Sequence, residues 1–160
     1  VFYQTRDEDL FKTFWFDELT NTPRHFQDAS HVWHTSWDDF KAFCDGMWRI
    51  YSIEDKALVY VEHNGNVHFS LLRGTDTSNL VNELIGIRNE LLLEKEYLYG
   101  WVGKHNRGMQ RIVEDIGFQW HGFTMYHGQS HGKILEWRCY VLDRRDFYVE
   151  KDTAKLLVSV

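Results

Sequence analysis

Three short stretches hold the side chains of this 160-residue chain that could do chemistry. In NVHFSLLR (66–73), His68 alternates with Val67, Phe69 and Leu71, so one imidazole stands on the strand face opposite three apolar side chains. An imidazole titrates near neutrality and suits proton transfer. Glu62 and His63, closing the preceding run KALVYVEH, are the next candidates for that work. A histidine simply hydrogen-bonded within its sheet is the structural alternative. The second stretch, Arg73-Gly-Thr-Asp-Thr-Ser78, leads into a helix that Asp76, Thr77 or Ser78 can cap. The third, GKHNRGMQRIVEDIGF (103–118), reads as a loop, a short amphipathic helix from Asn106 to Ile116 and a stop at Gly117.

Other reactive side chains point to less. His31 and His34 fall about one helical turn apart, and His127 and His131 flank a hairpin loop with His121 nearby. Neither set has a third ligand at fixed spacing, so no metal is expected. Cys44 and Cys139, far apart and without CxxC spacing, read as reduced core thiols. Trp48, Trp101, Trp120 and Trp137 fall in strand-like runs and should pack, while Trp33 and Trp37 lie in a polar region where exposure would make a recognition surface. No Ser-His-Asp or nucleophilic Cys-His arrangement, P-loop or dinucleotide fingerprint is present.

The elements that must position these groups follow from spacing. Thr5-Arg-Asp-Glu8 has the form of a capping box; Leu10, Phe11, Phe14 and Trp15 then recur at helical spacing, after a short opening strand. Ser36-Trp-Asp-Asp39 repeats the signature before Phe40, Phe43 and Cys44, giving a second helix that ends near Gly46. MWRIYSI, KALVYVEH and NVHFSLLR read as three antiparallel strands, the last two joined at Asn64-Gly65 by a tight turn with positive φ at both residues. Leu80, Leu84, Ile87 and Leu91 form one helical stripe, thickened by Val81, Ile85 and Leu92. YLYGWV is a further strand, and QWHGFTMY with ILEWRCYVL a closing pair around the loop HGQSHGK. The order β, α, α, β, β, β, α, β, α, β, β describes an α/β (α+β) chain with a mixed central sheet. Asp143 to Val160, charged and then apolar, is an extension that adds an edge strand or meets a partner.

A chain 43% hydrophobic and 16% aromatic fits one compact domain, 1–160, and with a single proline, Pro23, and no linker-like run it offers no cut point. The net charge of −6 and the dispersed Lys and Arg argue against nucleic acid or an anionic membrane as partner. No apolar run approaches the roughly 20 residues a bilayer needs. The opening VFYQTRDEDLF lacks a signal-peptide pattern, so a soluble cytoplasmic protein is expected.

This element order, with NRGMQRIVEDIGF near its end, resembles the GNAT superfamily of acyl-CoA-dependent N-acetyltransferases. Asn106, Gly117 and Phe118 fall where that family starts and ends the helix after its fifth strand. The likeness in element order spans nearly the whole chain; at residue level it rests on this segment. The run WVGKHNRGMQRIVEDIGF also looks like divergent GNAT-like proteins of tailed phages, some of them virion- or head-associated.

The resemblance implies a cleft between the fourth and fifth strands that holds the pantetheine arm of acetyl-CoA, with the pyrophosphate on the next helix N-terminus. It places Leu71, Arg73, Gly74, Thr77 and Ser78 along the cofactor, Asn106 beside its arm, and His68 as the group that helps remove the amine's proton. The tyrosine that commonly protonates the leaving thiolate has Val113 at its position, which leaves Tyr99 and Tyr126 on neighbouring strands as substitutes, or as packed aromatics. The family's phosphate loop has glycines where Asp76 and Ser78 stand here; a carboxylate there repels phosphate and can occupy the loop's donors itself. Two functions are implied. One is an enzyme moving acetyl from acetyl-CoA to an amine. The other is a noncatalytic module of the same fold, a virion-assembly component, host-directed inhibitor or homo-oligomer that binds through its Trp-rich surface or its C-terminal extension.

Overall fold

The computed structural model describes residues 1–21 and 36–149. In chain order the elements are β1 (Phe2–Gln4), α1 (Glu8–Asn21), α2 (Trp37–Asp45), β2 (Arg49–Ile53), β3 (Ala57–Val61), β4 (Val67–Leu71), α3 (Leu80–Leu91), β5 (Tyr97–Gly103), α4 (Arg107–Asp115), β6 (Gln119–Ser130), β7 (Lys133–Asp143) and α5 (Arg144–Val149). Through β7 this is the expected order. The C-terminal extension begins with a helix, α5, where an edge strand was one expectation. Residues 150–160, His31, Trp33 and His34 lie outside the described residues.

Strands β1 to β4 form one antiparallel sheet in chain order, and β5, β7 and β6 form a second with β7 in the middle. Among the described residues one parallel bridge, Asn66 with Tyr99, joins them, and it alone makes the whole a mixed sheet. Helices cover both faces. On one face Leu80, Leu84, Ile87 and Leu91 of α3 pack with Tyr51, Val59, Val61, Leu98, Val102 and Tyr140 of the strands. On the other, Phe11 and Phe14 of α1 and Phe40 and Cys44 of α2 pack with Ile50, Leu58 and Tyr60. Every residue of β3 is buried, because alternate side chains feed the two clusters. The α3 stripe is the expected one, and each fully buried Leu or Ile in it contributes roughly 1.5–3 kcal/mol.

Local chemistry sets the ends of these elements. Asp7, rather than Thr5, caps α1: its Oδ1 accepts from the amides of Asp9 (3.0 Å) and Leu10 (3.3 Å), while Thr5 Oγ1 is occupied by the amide of Asp7. Ser36 caps α2 as expected, accepting from Asp39 N–H at 3.2 Å. Helix α4 ends in a Schellman motif: Gly117 (φ 105°) donates to Glu114 C=O and Phe118 to Val113 C=O. That geometry explains the Gly-Phe ending, and Val113 serves it with its carbonyl and packs in the core.

Two turns differ from expectation. The turn with positive φ at both central residues is Glu54-Asp55 (52° and 56°), closed by Lys56 N–H to Ile53 C=O. Between β3 and β4 only Gly65 has positive φ (91°), because the connection is five residues long and Asn64 instead accepts the amide of Asn66 on its side chain. The final hairpin is also longer than expected. His127 to Ser130 continue β6, and His131-Gly132 (φ 52° and 76°) make the turn. On the outer strand β6 the pairing with β7 shifts register twice, between Trp120 and Thr124 and between Tyr126 and Gln129.

Burial in the two clusters pushes the Cys44 thiol and the Tyr51 phenol up to about 12, and Tyr60 well above its ordinary range. These groups hold their protons more tightly folded than unfolded, so their contribution is complete below the unfolded values and is lost as pH rises through the folded ones. Urea midpoints should therefore be flat up to about pH 8 and fall steeply between about pH 9 and 12. A flat midpoint across that upper window would contradict the burial assigned to these three side chains.

Candidate functional site

The site is built where the two half-sheets meet. Leu72 N–H bonds Lys56 C=O and Glu62 N–H bonds Asn66 C=O, so by antiparallel alternation the even residues of β4 carry the bonds to β3. The odd ones, Val67, Phe69 and Leu71, turn their N–H and C=O groups toward β5. On β5 the bond from Lys104 N–H to Glu136 C=O fixes the opposite phase: even residues bond β7, and Tyr99, Trp101 and Gly103 face β4. Tyr99 N–H reaches Gly65 C=O at 3.0 Å, and past this bridge the strands share no ladder. The result is a cleft, closed at Asn66–Tyr99, with polar backbone edges at Phe69 and Leu71 on one side and Trp101 on the other.

The same alternation sorts the side chains. Leu98 and Val102 enter the α3-side core, which leaves Tyr99 and Trp101 on the face that α1 and α2 cover. His68 and Glu62 share that face with Tyr60, and His68 Nε2 lies 2.7 Å from Glu62 Oε2. Asn66 Nδ2 donates to the same Glu62 oxygen at 2.8 Å. With the carboxylate as acceptor, a neutral His68 ring carries its proton on Nε2 and its lone pair on Nδ1. Phe43 of α2 packs its edge against the imidazole, ring centres 5.3 Å apart, so the ring is held between an apolar wall and a carboxylate. His68 is 14% and Glu62 33% exposed, partly screened yet accessible. Burial first, and then the Glu62 charge, raise the Tyr99 phenol above its ordinary range, which keeps its proton in place at neutral pH.

The loop from Leu72 to Asn79 follows β4 at the open end of the cleft. Asp76 Oδ1 accepts the amide of Ser78 at 3.0 Å and its Oδ2 the Ser78 hydroxyl at 3.1 Å, and these bonds hold its carboxyl below the usual carboxylate range. Arg73 is turned to α1: its amide donates to Asp17 Oδ2 and its guanidinium to Asn21 Oδ1 at 2.8 Å. Helix α3 starts at Leu80, and none of Asp76, Thr77 and Ser78 caps it as expected: Asn79 occupies the cap position without a side-chain bond, and Asp76 spends its oxygens on Ser78. Gly74, at φ 79°, bends the loop with open space around it. Asn106 caps α4 by accepting the amide of Met109 at 3.1 Å.

The structure thus brings His68, Tyr99 and the backbone of Leu71 to one cleft, with Arg73, Gly74, Thr77 and Ser78 in the loop at its mouth and Asn106 at the start of α4. Tyr126 lies elsewhere: two-thirds exposed on β6, its hydroxyl 3.4 Å from Glu136 Oε1, it lines a groove of about 650 Å³ with Lys104, His105 and Lys133. Sequence spacing did not single out Asn66 or Phe43, which fix the Glu62 carboxylate and the His68 ring. No group of three or more His, Cys, Asp or Glu able to hold a metal occurs among the described residues, and no helix among them is long and apolar enough to cross a membrane.

No protein-family model and no curated protein matches this chain. Solved structures match it in fold. The smu.2055 protein of Streptococcus mutans UA159 superposes with a TM-score of 0.71 at 12% identity, over 90% of this chain and 99% of its own. A ribosomal-protein-alanine N-acetyltransferase from Brucella melitensis gives 0.68 at 11% identity, over 89% and 99%. The yncA protein of Salmonella typhimurium, solved with acetyl-CoA, gives 0.64 at 11% identity, over 90% and 93%. At such identities the likeness shows the fold alone: this chain has a GNAT-like fold, shared with these structures.

Gly65 fixes the closed end of the cleft. Its φ of 91° disfavours any side chain, and a Cβ there would stand 2.8 Å from Tyr97 C=O. Gly65→Ala should cost about 2 kcal/mol or more, from the left-handed backbone plus the clash, read as a lowered denaturation midpoint. An unchanged midpoint would mean that the two half-sheets do not depend on this joint.

Proposed function

We propose that this chain transfers an acyl group from a thioester, held in the cleft between β4 and β5, to an amine. The observation that carries the reading is the hydrogen-bonded series Asn66–Glu62–His68 at the closed end of a cleft whose edges bear backbone groups without ladder partners. The same fold in a ribosomal-protein-alanine N-acetyltransferase from Brucella melitensis supports it.

The residues present fit part of the expected acetyl-CoA. The free edges at Phe69 and Leu71 suit an extended arm that carries amides, which would add to β4 as another strand does. When bound, the thioester supplies the acyl group: its C–S bond breaks as the amine's N–C bond forms, the amine gives up one proton and the departing thiolate gains one. His68 takes the amine's proton at Nδ1. Glu62 steadies the resulting imidazolium through Nε2–H, and Asn66 holds Glu62 in place. Tyr99, on the same face and kept protonated, is the donor available for the sulfur. No residue of α4 takes that part, since Val113 is packed in the core.

A second reading rests on the loop. Asp76 and Arg73 are both committed to protein partners there, which favours a noncatalytic module of this fold that binds a protein, such as a virion or host component.

Thiol release with a panel of amines and an acetyl thioester separates the two. His68→Gln should lower kcat by roughly 10²–10⁴-fold with little change in donor KM, and Glu62→Gln by less, because Glu62 acts through the imidazole. Absence of turnover with every amine, together with no heat on titration of acetyl thioesters, would sink the enzyme and leave the binding module.

A further inference from the structure

We infer that the donor suited to this cleft is a pantetheine thioester that reaches the β4–α3 loop without a nucleotide diphosphate, and that Asp76 sets this preference. The inference rests on the acyl-transfer reading and adds the chemical class of the donor. An arm extended along the free edge of β4, from Val67 toward Leu71, leaves the cleft at residues 72–79. A helix N-terminus at such a place ordinarily offers amides and a positive dipole end to an anion. Here two of the amides leading into the helix are already used. Asp76 occupies both the amide and the hydroxyl of Ser78, and Leu80 N–H turns to Thr77 C=O at 3.1 Å.

Charge at the loop has the same consequence. Asp76 is exposed, and its bonds to Ser78 keep it ionised at neutral pH. Arg73, the cation of the loop, is held by Asn21, a second carboxylate, Asp17, sits on its amide, and Lys56, beside the loop, has its charge balanced by Asp76 itself. A diphosphate delivered to this loop meets carboxylates of its own sign and finds the amide of Ser78 taken. The edge of β4 that would hold the arm itself, from Phe69 to Leu71, carries no charged side chain and is open along its backbone. Amides and hydroxyls suit that edge, and pantetheine is built of them. Free pantetheine and a phosphopantetheine carried on a protein share that chemistry.

The test compares S-acetylpantetheine, S-acetyl-4′-phosphopantetheine, an acetylated phosphopantetheinyl carrier protein and acetyl-CoA, by calorimetry and by thiol release, on the full chain. S-acetylpantetheine is expected to bind within about threefold of acetyl-CoA, although it lacks the nucleotide. Preferential use of the carrier protein over the free compounds would identify the source as protein-borne. Acetyl-CoA affinity should rise with added salt, as screening relieves repulsion at the loop. Asp76→Gly should shift preference toward acetyl-CoA about tenfold. Asp76→Asn retains an acceptor for the Ser78 amide without the charge, so a similar shift in that variant assigns the effect to charge. Acetyl-CoA binding the unaltered chain at least about tenfold tighter than S-acetylpantetheine would overturn the inference while leaving acyl transfer standing. So would an equal gain for acetyl-CoA on adding Mg²⁺, since Asp76 would then recruit a cation for the diphosphate. Turnover with none of the thioesters would remove acyl transfer and this inference together.

Discussion

The cleft between β4 and β5 exists because so little joins the two half-sheets. The bridge at Asn66 and Tyr99, with Tyr99 N–H on Gly65 C=O, is the one ladder contact between them among the described residues. Backbone groups removed from water must be paired, and a continuous sheet would pair those of Phe69, Leu71 and Trp101 with one another. Stopping the ladder after a single bridge leaves these groups facing an opening. On the proposed reading, an extended polar chain would be held by the backbone, and side chains would have only to supply chemistry at the closed end.

The two cores explain why such a thin joint survives. Strand β3 is buried on both sides, and the helices that cover it are anchored by different sets of side chains, α3 through leucines and isoleucine, α1 and α2 through phenylalanines. The second set also does something for the site, because Phe43 packs on both Tyr60 and His68. The imidazole is oriented by packing from α2 and by a hydrogen bond from the end of β3. Two independent constraints on one ring leave it little freedom to turn away.

Much of this was legible in the sequence, and the exceptions share a cause. The helical stripes, the strands and the Gly-Phe ending of α4 follow from periodicity and from one glycine with a required positive φ. His68 was found by alternation. Its pairing with Glu62 was not, and the reason is register. A two-residue Asn64-Gly65 turn would set His68 opposite Val61 and send Glu62 to the other face. The five-residue connection sets His68 opposite Tyr60 and brings Glu62 to its own side. One residue of slip decides whether the pair exists, and composition cannot report it. The same limit applies to the helix starts: Asp7 takes the cap expected of Thr5, and α3 begins after Asn79, outside the three residues expected to cap it. Asp76 was legible as a departure from a glycine-rich loop, but the turning of Arg73 to Asn21 depends on where α1 comes to lie.

The outer strand β6 has a bearing on the protein's behaviour in a crowded solution. It is the rim of its sheet, twelve residues long, and exposed residues such as Phe123 and Tyr126 stand along it. An uninterrupted rim of that length is a template on which further chains can add strand after strand. The two register shifts divide it into short, differently twisted pieces, so an incoming strand that matches one piece is out of step with the next. The irregular pairing of the last hairpin thus works as a guard against polymerisation, placed at the edge where unchecked growth would begin.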